Sequence, residues 1–183
     1  MDFKRSENFE EGADEFHGTG GPLNVCKLRH TSVLSETFVN SASFAGYKQL
    51  TDFNRDDREG IGFYHVTQAN GQRCSTAKGY LTQAKHRNNL TVLTKVAAEK
   101  VLLKEGRAIG VQVREKGAVS RYFAKSEVIL CGGAINSPQL LMLSGIGPRA
   151  ELEEKGIFVQ QDLPGVGQNL QDHLDAIVQY TCK

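Results

Sequence analysis

A short apolar run that ends at a pair of glycines and leads into a helix constrains the fold of this chain more than any other feature. The run Val128–Cys131 has the length and composition of a buried strand, and Gly132-Gly133 closes it. Asn136 or Ser137 is a suitable N-cap, which would place Pro138 at or near the first helical position, where its missing N–H costs nothing. The pattern predicts an α/β unit in which a buried strand turns sharply into a helix.

A strand that passes through glycines into a helix N-terminus is a recurrent way to bind a nucleotide. Glycine backbone can lie against a flat ring or a phosphate, and the helix end adds free N–H groups and partial positive charge. The alternative is that Gly132 and Gly133 only permit a tight turn, and spacing alone favours this alternative because many α/β domains contain such turns. Gly165-Val-Gly167 is not a dinucleotide fingerprint, because Leu170 occupies the third glycine position.

The rest of the chain alternates between polar loops and short periodic segments. Ser32–Gly46 has apolar residues close to helical spacing and predicts a helix, whereas Asn70-Gly71 is the dipeptide of a type I′ turn. Residues 1–22 are polar and predict a helix end and a loop at the surface. Four strands that form a small antiparallel meander, and a fifth near the end of the sequence, are predicted at Leu90–Leu93, Ala98–Leu103, Ala108–Arg114, Ser120–Ala124 and Ala176–Tyr180.

Composition disfavours several classes of function. With 39% hydrophobic residues, 23% charged residues and a net charge of +1, there is no electrostatic case for binding nucleic acid or an anionic membrane. No apolar run approaches the roughly 20 residues of a transmembrane helix, and the mixed charges of residues 1–15 predict no signal peptide. The sequence predicts a cytoplasmic or peripherally membrane-associated protein without deciding between the two.

The cysteines give no indication of a metal site. The sequence contains four widely separated cysteines, Cys26, Cys74, Cys131 and Cys182. The absence of a CxxC pair and of a histidine at ligand spacing disfavours zinc or a redox dithiol, so reduced thiols and no metal ligand are predicted. Cys131 in particular is predicted to be a small buried hydrophobe.

The histidines give no indication of a catalytic site. His17, His30, His65 and His86 are scattered, and no carboxylate or nucleophile lies at a suggestive spacing from any of them. His173 follows an aspartate in a predicted loop, where structural hydrogen bonding is the expected role.

The segment that begins at the second glycine, Gly133–Gly147, resembles the second signature of the glucose–methanol–choline (GMC) oxidoreductases. It matches that signature at Gly133, Ala134, Ser137, Pro138, Leu141, Met142 and Ser144-Gly-Ile-Gly147. Other segments are also similar to the family and occur in the right order, namely His17–Leu23, Gly60–Tyr64, Gly71–Arg73, Glu127–Leu130 and Leu163–His173. The likeness covers nearly the whole chain and is greatest to the choline and alcohol dehydrogenase branch.

The resemblance implies an FAD-dependent enzyme that oxidises a choline-like or primary alcohol to an aldehyde. In the family a neutral histidine removes the hydroxyl proton, hydride passes to flavin N5, and electrons then pass to oxygen, a quinone or a dye-like acceptor. By resemblance, Ala98 would contact the adenine end of FAD through its backbone, and Gly132 and Gly133 would lie against the adenosine part. No residue of this chain corresponds to the catalytic base.

The resemblance also implies that the chain is an internal fragment, because the family's strand with GxGxxG and its C-terminal catalytic pair have no counterpart here. The expected fold is α/β (α+β), a partial FAD-binding domain with the antiparallel meander and the start of the substrate domain. Residues 1–89 would belong to the substrate domain and a connecting segment, 90–172 to the FAD-binding domain, and 173–183 to the substrate-domain sheet.

Two other functions remain open at this point, a non-catalytic nucleotide-binding module and an inactive truncated product. Since relatives bury the segment Leu90–Cys131 against elements outside this sequence, exposed apolar surface and poor solubility are also expected.

Overall fold

A computed structural model describes residues 2–179 and residue 181. The chain divides into two compact units, Met1–Val92 and Leu93–Lys183, close to the boundary predicted after residue 89. The fold is mixed α/β, as predicted. The assignment of residues 1–89, 90–172 and 173–183 to cofactor and substrate domains remains a prediction.

The first unit is built from short elements joined by long loops. Its elements are α1 (Asp2–Ser6), β1 (Glu7–Phe9), β2 (Leu23–Val25), α2 (Val33–Phe44), β3 (Gln49–Leu50), β4 (Ile61–Gly62), β5 (Gln68–Ala69), β6 (Gln72–Arg73), a π-helical turn (Ala77–Leu81) and α3 (Thr82–Ala84). β1 pairs with β2 and β3 with β4, both in parallel, while β5 and β6 form an antiparallel hairpin.

Two local predictions in the first unit are confirmed. Helix α2 begins after Ser32, whose hydroxyl accepts a hydrogen bond from the backbone N–H of Ser35 at 3.1 Å, as expected for an N-cap. The β5–β6 hairpin turns through Asn70 and Gly71, whose φ angles of 51° and 70° are both positive, as a type I′ turn requires.

The prediction that residues 1–22 lie at the surface is wrong in part. Glu7, Phe9 and His17 are buried, with 2%, 5% and 0% of their surfaces exposed. β1 is covered because it pairs with β2, and because the loop between them folds back so that Gly18 O accepts from Phe9 N–H at 2.9 Å. The prediction relied on polar composition. It is wrong because the polar side chains of Glu7 and His17 form hydrogen bonds to each other inside the unit.

The second unit contains the predicted meander. Its elements are β7 (Val96–Lys104), β8 (Arg107–Glu115), β9 (Ala118–Phe123), α4 (Gly133–Leu143), β10 (Ile146–Gly147), α5 (Arg149–Glu154) and β11 (Gln161–Asp162). β7, β8 and β9 form one antiparallel sheet in that order, and β10 pairs with β11 in parallel. The predicted strand Leu90–Leu93 is wrong, because these residues have no strand partner and are largely exposed.

One face of the meander packs against α4. Val101 and Val113 are buried on the sheet, at 4% and 6% exposure, together with Leu152 of α5. Ser144, directly after α4, fixes helix to sheet, since its hydroxyl accepts from Val101 N–H at 2.8 Å and donates to Leu140 O at 2.6 Å. Helix α4 ends at Leu143, and Ser144 is its C-cap.

The strand predicted at Val128–Cys131 is wrong. These residues are in irregular structure, none is buried, and Ile129 is 72% exposed. A short apolar run becomes a buried strand only when a sheet pairs with it, and no strand within residues 2–179 does so. The fifth strand, Ala176–Tyr180, is also wrong for residues 176–179, while Tyr180 lies outside the described residues.

The predicted start of α4 is likewise wrong. The helix begins at Gly133 rather than near Pro138, which therefore lies inside it. Ser137 is not the N-cap, but its hydroxyl accepts from Gly132 N–H at 3.0 Å and so satisfies one donor at the helix start. The glycines themselves form the first turn.

The expected exposure of apolar side chains is confirmed, whereas poor solubility remains a prediction. In the second unit Phe123, Ile129 and Phe158 are 70%, 72% and 77% exposed. Among the described residues, no helix has the length and apolar character needed to span a bilayer.

Candidate functional site

A cavity of about 500 Å³ in the second unit lies between the meander and the start of α4. The sheet contributes Ala97, Ala98, Val111 and Val113, the irregular segment contributes residues 128–132, and the helix contributes Asn136, Ser137, Gln139, Leu140 and Leu143. No charged side chain lines it. The cavity therefore suits an uncharged and largely apolar group.

The structure brings two of the three predicted cofactor contacts together in this cavity. Ala98 and Gly132 both line it, although they are far apart in sequence, while Gly133 follows in the turn and is not part of the wall. Ala98 is exposed and lies beside an irregularity in the β7–β8 register, between Ala98 and Lys100. An irregularity of this kind redirects side chains and breaks the ladder locally, which leaves backbone accessible.

The turn at the helix start depends on glycine. Gly133 has a φ of +79°, in the left-handed region that residues with a Cβ rarely adopt. At Gly132 a Cβ would lie 3.0 Å from the Cβ of Asn136, so the backbone here passes close to the first helical turn. The small residues thus keep this wall of the cavity open.

Cys131 also lines the cavity, and the prediction that it is a buried hydrophobe is wrong. The thiol is free and the residue exposed, because the segment Val128–Cys131 is not covered by a neighbouring strand. Apart from the Cys131 thiol, no acidic or basic side chain is present in the lining. The cavity can hold a ligand but offers no histidine, carboxylate or amine for proton transfer.

The first unit contains a buried cluster of charges around His17. Both carboxylate oxygens of Glu7 lie 3.1 Å from Nδ1 of His17, and Oδ2 of Asp52 lies 2.7 Å from Nε2. The Phe9 ring stacks on the imidazole, with centroids 4.0 Å apart and planes 20° from parallel. Arg55 closes the outer side through a 3.1 Å bond from Nε to Asp52 and a second bond to Asp14.

This environment favours the charged forms of His17 and Asp52. Burial opposes the charge on His17, but hydrogen bonds to Asp52 and Glu7 outweigh it and raise the pKa of the imidazole. Burial likewise opposes the charge on Asp52, yet hydrogen bonds from Asn54 N–H and from His17 lower the pKa of the carboxyl. Because each ring nitrogen of His17 faces a carboxylate, the geometry favours an imidazolium whose two nitrogens both donate.

The sequence showed no carboxylate at a suggestive spacing from His17, yet the fold brings one to each of its ring nitrogens. Its partners are 10 positions before it and 35 positions after it, a separation at which no local pattern is visible. Because His17 is fully buried and both its nitrogens are engaged, the cluster stabilises the unit and is not placed to exchange protons with a substrate. The only sequence signal was the likeness of His17–Leu23 to the family.

His173 is exposed, in contrast to the structural role predicted for it. Its backbone N–H donates to the Asp172 carboxylate at 2.8 Å, and within the described residues its side chain forms no hydrogen bond. In residues 2–179 and 181, no group of three or more His, Cys, Asp or Glu side chains is arranged to hold a metal ion.

Most of the chain matches one known family. A family profile described as GMC oxidoreductase covers residues 2–175. The chain therefore belongs to the GMC oxidoreductases, in agreement with the signature found at Gly133–Gly147. FAD is the cofactor of this family, as predicted.

Among curated proteins the chain is similar to the oxygen-dependent choline dehydrogenases. It is 44% identical over 182 residues to that of Photobacterium profundum, covering 98% of this chain and 32% of the relative. It is also 44% identical to that of Vibrio vulnificus, covering 99% of this chain and 33% of the relative. The chain spans about a third of the length of these relatives.

Solved structures of oxidoreductases are also similar to this chain. Pyridoxine 4-oxidase from Mesorbium loti matches with a TM-score of 0.82 at 32% identity, covering 88% of this chain and 32% of the other. An FAD-dependent oxidoreductase from Chaetomium thermophilum matches with a TM-score of 0.85 at 29% identity, covering 93% and 32% respectively. The fold of the chain is thus that of part of a flavoprotein oxidoreductase.

Proposed function

We propose that this chain forms part of an FAD-dependent enzyme that oxidises a choline-like or primary alcohol to its aldehyde. The observation that carries the proposal is the cavity that brings together Ala98 and Gly132. Family membership and the choline dehydrogenases at 44% identity support the reaction class. When bound, FAD would supply the hydride acceptor for the alcohol carbon.

The residues of this chain would bind and orient the cofactor. The backbone of Ala98 and the turn at Gly132 would face the adenine end, because no side chain beyond Cβ obstructs either position. Val111, Val113 and Leu140 would supply apolar contact to a flat ring, which excludes water from its faces. We assign no proton transfer to the cavity, because its lining contains no histidine, carboxylate or amine.

A hybrid enzyme tests the proposal. This chain would replace the matching third of the Photobacterium profundum choline dehydrogenase, and the hybrid would be purified and assayed for bound flavin and choline-dependent dye reduction. We expect flavin to co-purify. Ala98→Trp fills the cavity and should abolish flavin loading.

Ala118→Trp is the matched control, because Ala118 begins β9 on the same sheet, is exposed and does not line the cavity. It should load flavin like the parent hybrid. Equal flavin loss in both variants, or none in either, would contradict the assignment of the cavity. Flavin binding with no reduction by choline or by simple primary alcohols would favour a nucleotide-binding module.

The 183-residue chain alone should show no alcohol-dependent dye reduction, because it holds no residue assigned as the base. The electron acceptor, whether oxygen, a quinone or a dye-like compound, is to be identified in the hybrid. A cytoplasmic or peripheral membrane location is proposed with it, and fractionation of cells that express the tagged protein tests this.

A further inference from the structure

The cavity that contains Ala98 and Gly132 has no charged side chain in its lining, so recognition of a polar ligand there depends on a few neutral groups. The lining side chains that can form hydrogen bonds belong to Cys131, Asn136, Ser137 and Gln139. Three of the four come from the first turns of α4. The start of this helix therefore supplies most of the polar character of the cavity.

Three of these four groups are less suited than Asn136 to bind a polar ligand. The hydroxyl of Ser137 is already engaged, since it accepts from Gly132 N–H at 3.0 Å. The thiol of Cys131 is only a weak donor and acceptor. Gln139 also lines a second cavity, which α4 shares with Ile157 and Leu170, so its amide is not confined to this one.

Asn136 is both free and correctly placed. Its side chain is exposed to the cavity, and among the described residues no group forms a hydrogen bond with its amide. A Cβ at Gly132 would lie 3.0 Å from the Cβ of Asn136, so the asparagine side chain begins directly beside the Gly132 backbone. Gly132 and Ala98 are the positions proposed to face the adenine end of FAD. The amide of Asn136 thus borders the place where the base would lie.

The chemistry of a primary amide matches that of adenine. Adenine carries an exocyclic amino group, which donates, next to a ring nitrogen, which accepts. An asparagine amide presents an acceptor and a donor side by side in one plane, so it can pair with both groups at once. Because the base is neutral, no charged side chain is needed, in agreement with the uncharged lining.

We propose that Asn136 recognises the adenine of FAD through its side-chain amide, in which Oδ1 accepts from the amino group of the base and Nδ2 donates to the adjacent ring nitrogen. The inference rests on the proposed function, because it requires that the cavity holds the adenine end of the cofactor. It adds a residue that determines specificity to the contacts at Ala98 and Gly132, neither of which has a polar side chain.

The test uses the hybrid with choline dehydrogenase, stripped of flavin and titrated with two dinucleotides. One is FAD, and the other is its analogue in which purine, with hydrogen in place of the amino group, replaces adenine. The change in flavin fluorescence on binding gives both Kd values without catalytic turnover. We expect the parent hybrid to prefer FAD by about fivefold or more, as expected for one net hydrogen bond.

Asn136→Leu removes the amide while keeping a side chain of similar size and a residue that favours helix. We expect this variant to bind FAD about tenfold more weakly than the parent hybrid, since two hydrogen bonds to the base are lost. It should also bind FAD and the purine analogue with Kd values within about twofold of each other. A general effect on the cavity wall would instead weaken both dinucleotides equally and leave the preference unchanged.

Gln139→Leu is the matched control, because it removes the same amide group from the same helix, about one turn further on. It should keep the preference of the parent hybrid for FAD over the purine analogue. Loss of that preference in Gln139→Leu, with the preference retained in Asn136→Leu, would overturn the assignment to Asn136.

The failure of this inference and the failure of the proposed function give different results. Equal Kd values for FAD and the purine analogue in the parent hybrid, with Ala98→Trp still preventing flavin loading, would overturn the role of Asn136 alone. A parent hybrid that binds no flavin would overturn both proposals. Because the preference is measured first in the parent hybrid, the role of Asn136 can be overturned even if Asn136→Leu does not fold.

Discussion

Nε2 of His17 donates a hydrogen bond to Oδ2 of Asp52 at 2.7 Å, across 35 positions of sequence. With Glu7 on the opposite nitrogen, the bond places a cation between two carboxylates in the interior of the first unit. The short strands of this unit bury little apolar area, so the cluster supplies connections that a larger core would otherwise provide. Several measurements can test its contribution.

Asp52→Asn should lower the free energy of unfolding of the first unit by about 3–5 kcal/mol, the usual cost of removing one partner from a buried ion pair. The asparagine leaves the imidazolium with one carboxylate and weakens the bond to Arg55. Urea denaturation followed by NMR signals of residues in the first unit measures the change.

Asp57→Asn is the control for this variant. Asp57 pairs with Lys48 in the same loop region, but both side chains are more than half exposed, at 52% and 60%. An exposed ion pair contributes about 0–1 kcal/mol, so this substitution should be nearly neutral. If the two variants lost equal stability, the special role of the buried cluster would be refuted.

The stability of the first unit should decline on both sides of a pH plateau. The pKa of His17 is raised above its ordinary 6.5, so its contribution is complete below that pH and disappears as the pH rises through the folded-state pKa. The pKa of Asp52 is lowered from 3.8, so its contribution is present above that pH and disappears as the pH falls through the folded-state pKa. Urea denaturation at a series of pH values measures both declines in stability, the acidic limb and the alkaline limb.

His17→Gln should abolish the alkaline limb and also weaken the acidic limb, because His17 is one of the groups that lower the pKa of Asp52. An increase in stability of the native chain as the pH rises above 6.5 would contradict the raised pKa of His17.

Ser144→Ala should destabilise the second unit by about 1–3 kcal/mol, because the buried N–H of Val101 would lose its acceptor. Amide hydrogen exchange at Val101 should accelerate accordingly. Ser126→Ala is the control, since Ser126 is exposed and should tolerate the change. Unchanged exchange at Val101 in the Ser144 variant would show that the contact does not hold helix and sheet together.

Gly133→Ala should cost about 1–2 kcal/mol through the backbone alone, because φ is +79° and no atom lies within 4 Å of the added Cβ. Gly165→Ala meets the same open space without a left-handed φ and should change stability by less than about 0.5 kcal/mol. Thermal denaturation of both variants checks the difference. Equal losses of stability in the two variants would mean that the φ angle at residue 133 does not require glycine.

Local chemistry allowed several elements to be predicted. The helix that begins after Ser32 has its cap beside it in sequence, and the turn at Asn70-Gly71 is specified by two adjacent residues. The meander follows from alternation along β8. Each of these depends on residues within a few positions of one another.

Predictions failed where a segment required a distant partner. Val128–Cys131 has the composition of a buried strand, but composition does not supply a neighbouring strand, and the segment remains unpaired. Helix α4 begins at Gly133 rather than near Pro138, because the residues of the tight turn form the first turn of the helix. His17 seemed to be a surface residue because one of its partners, Asp52, lies on another loop, and Glu7 is buried with it as its second partner.

The amino-acid sequence by itself determined the family, the FAD cofactor and the glycine turn at Gly132-Gly133, because a signature is a property of adjacent residues. Only the tertiary structure decided that Ala98 and Gly132 share one cavity, and that His17 is enclosed by Glu7 and Asp52. The physical reason is the range of the interactions. Capping and turn geometry act over a few bonds, whereas cavities and buried ion pairs form between residues that only folding brings together.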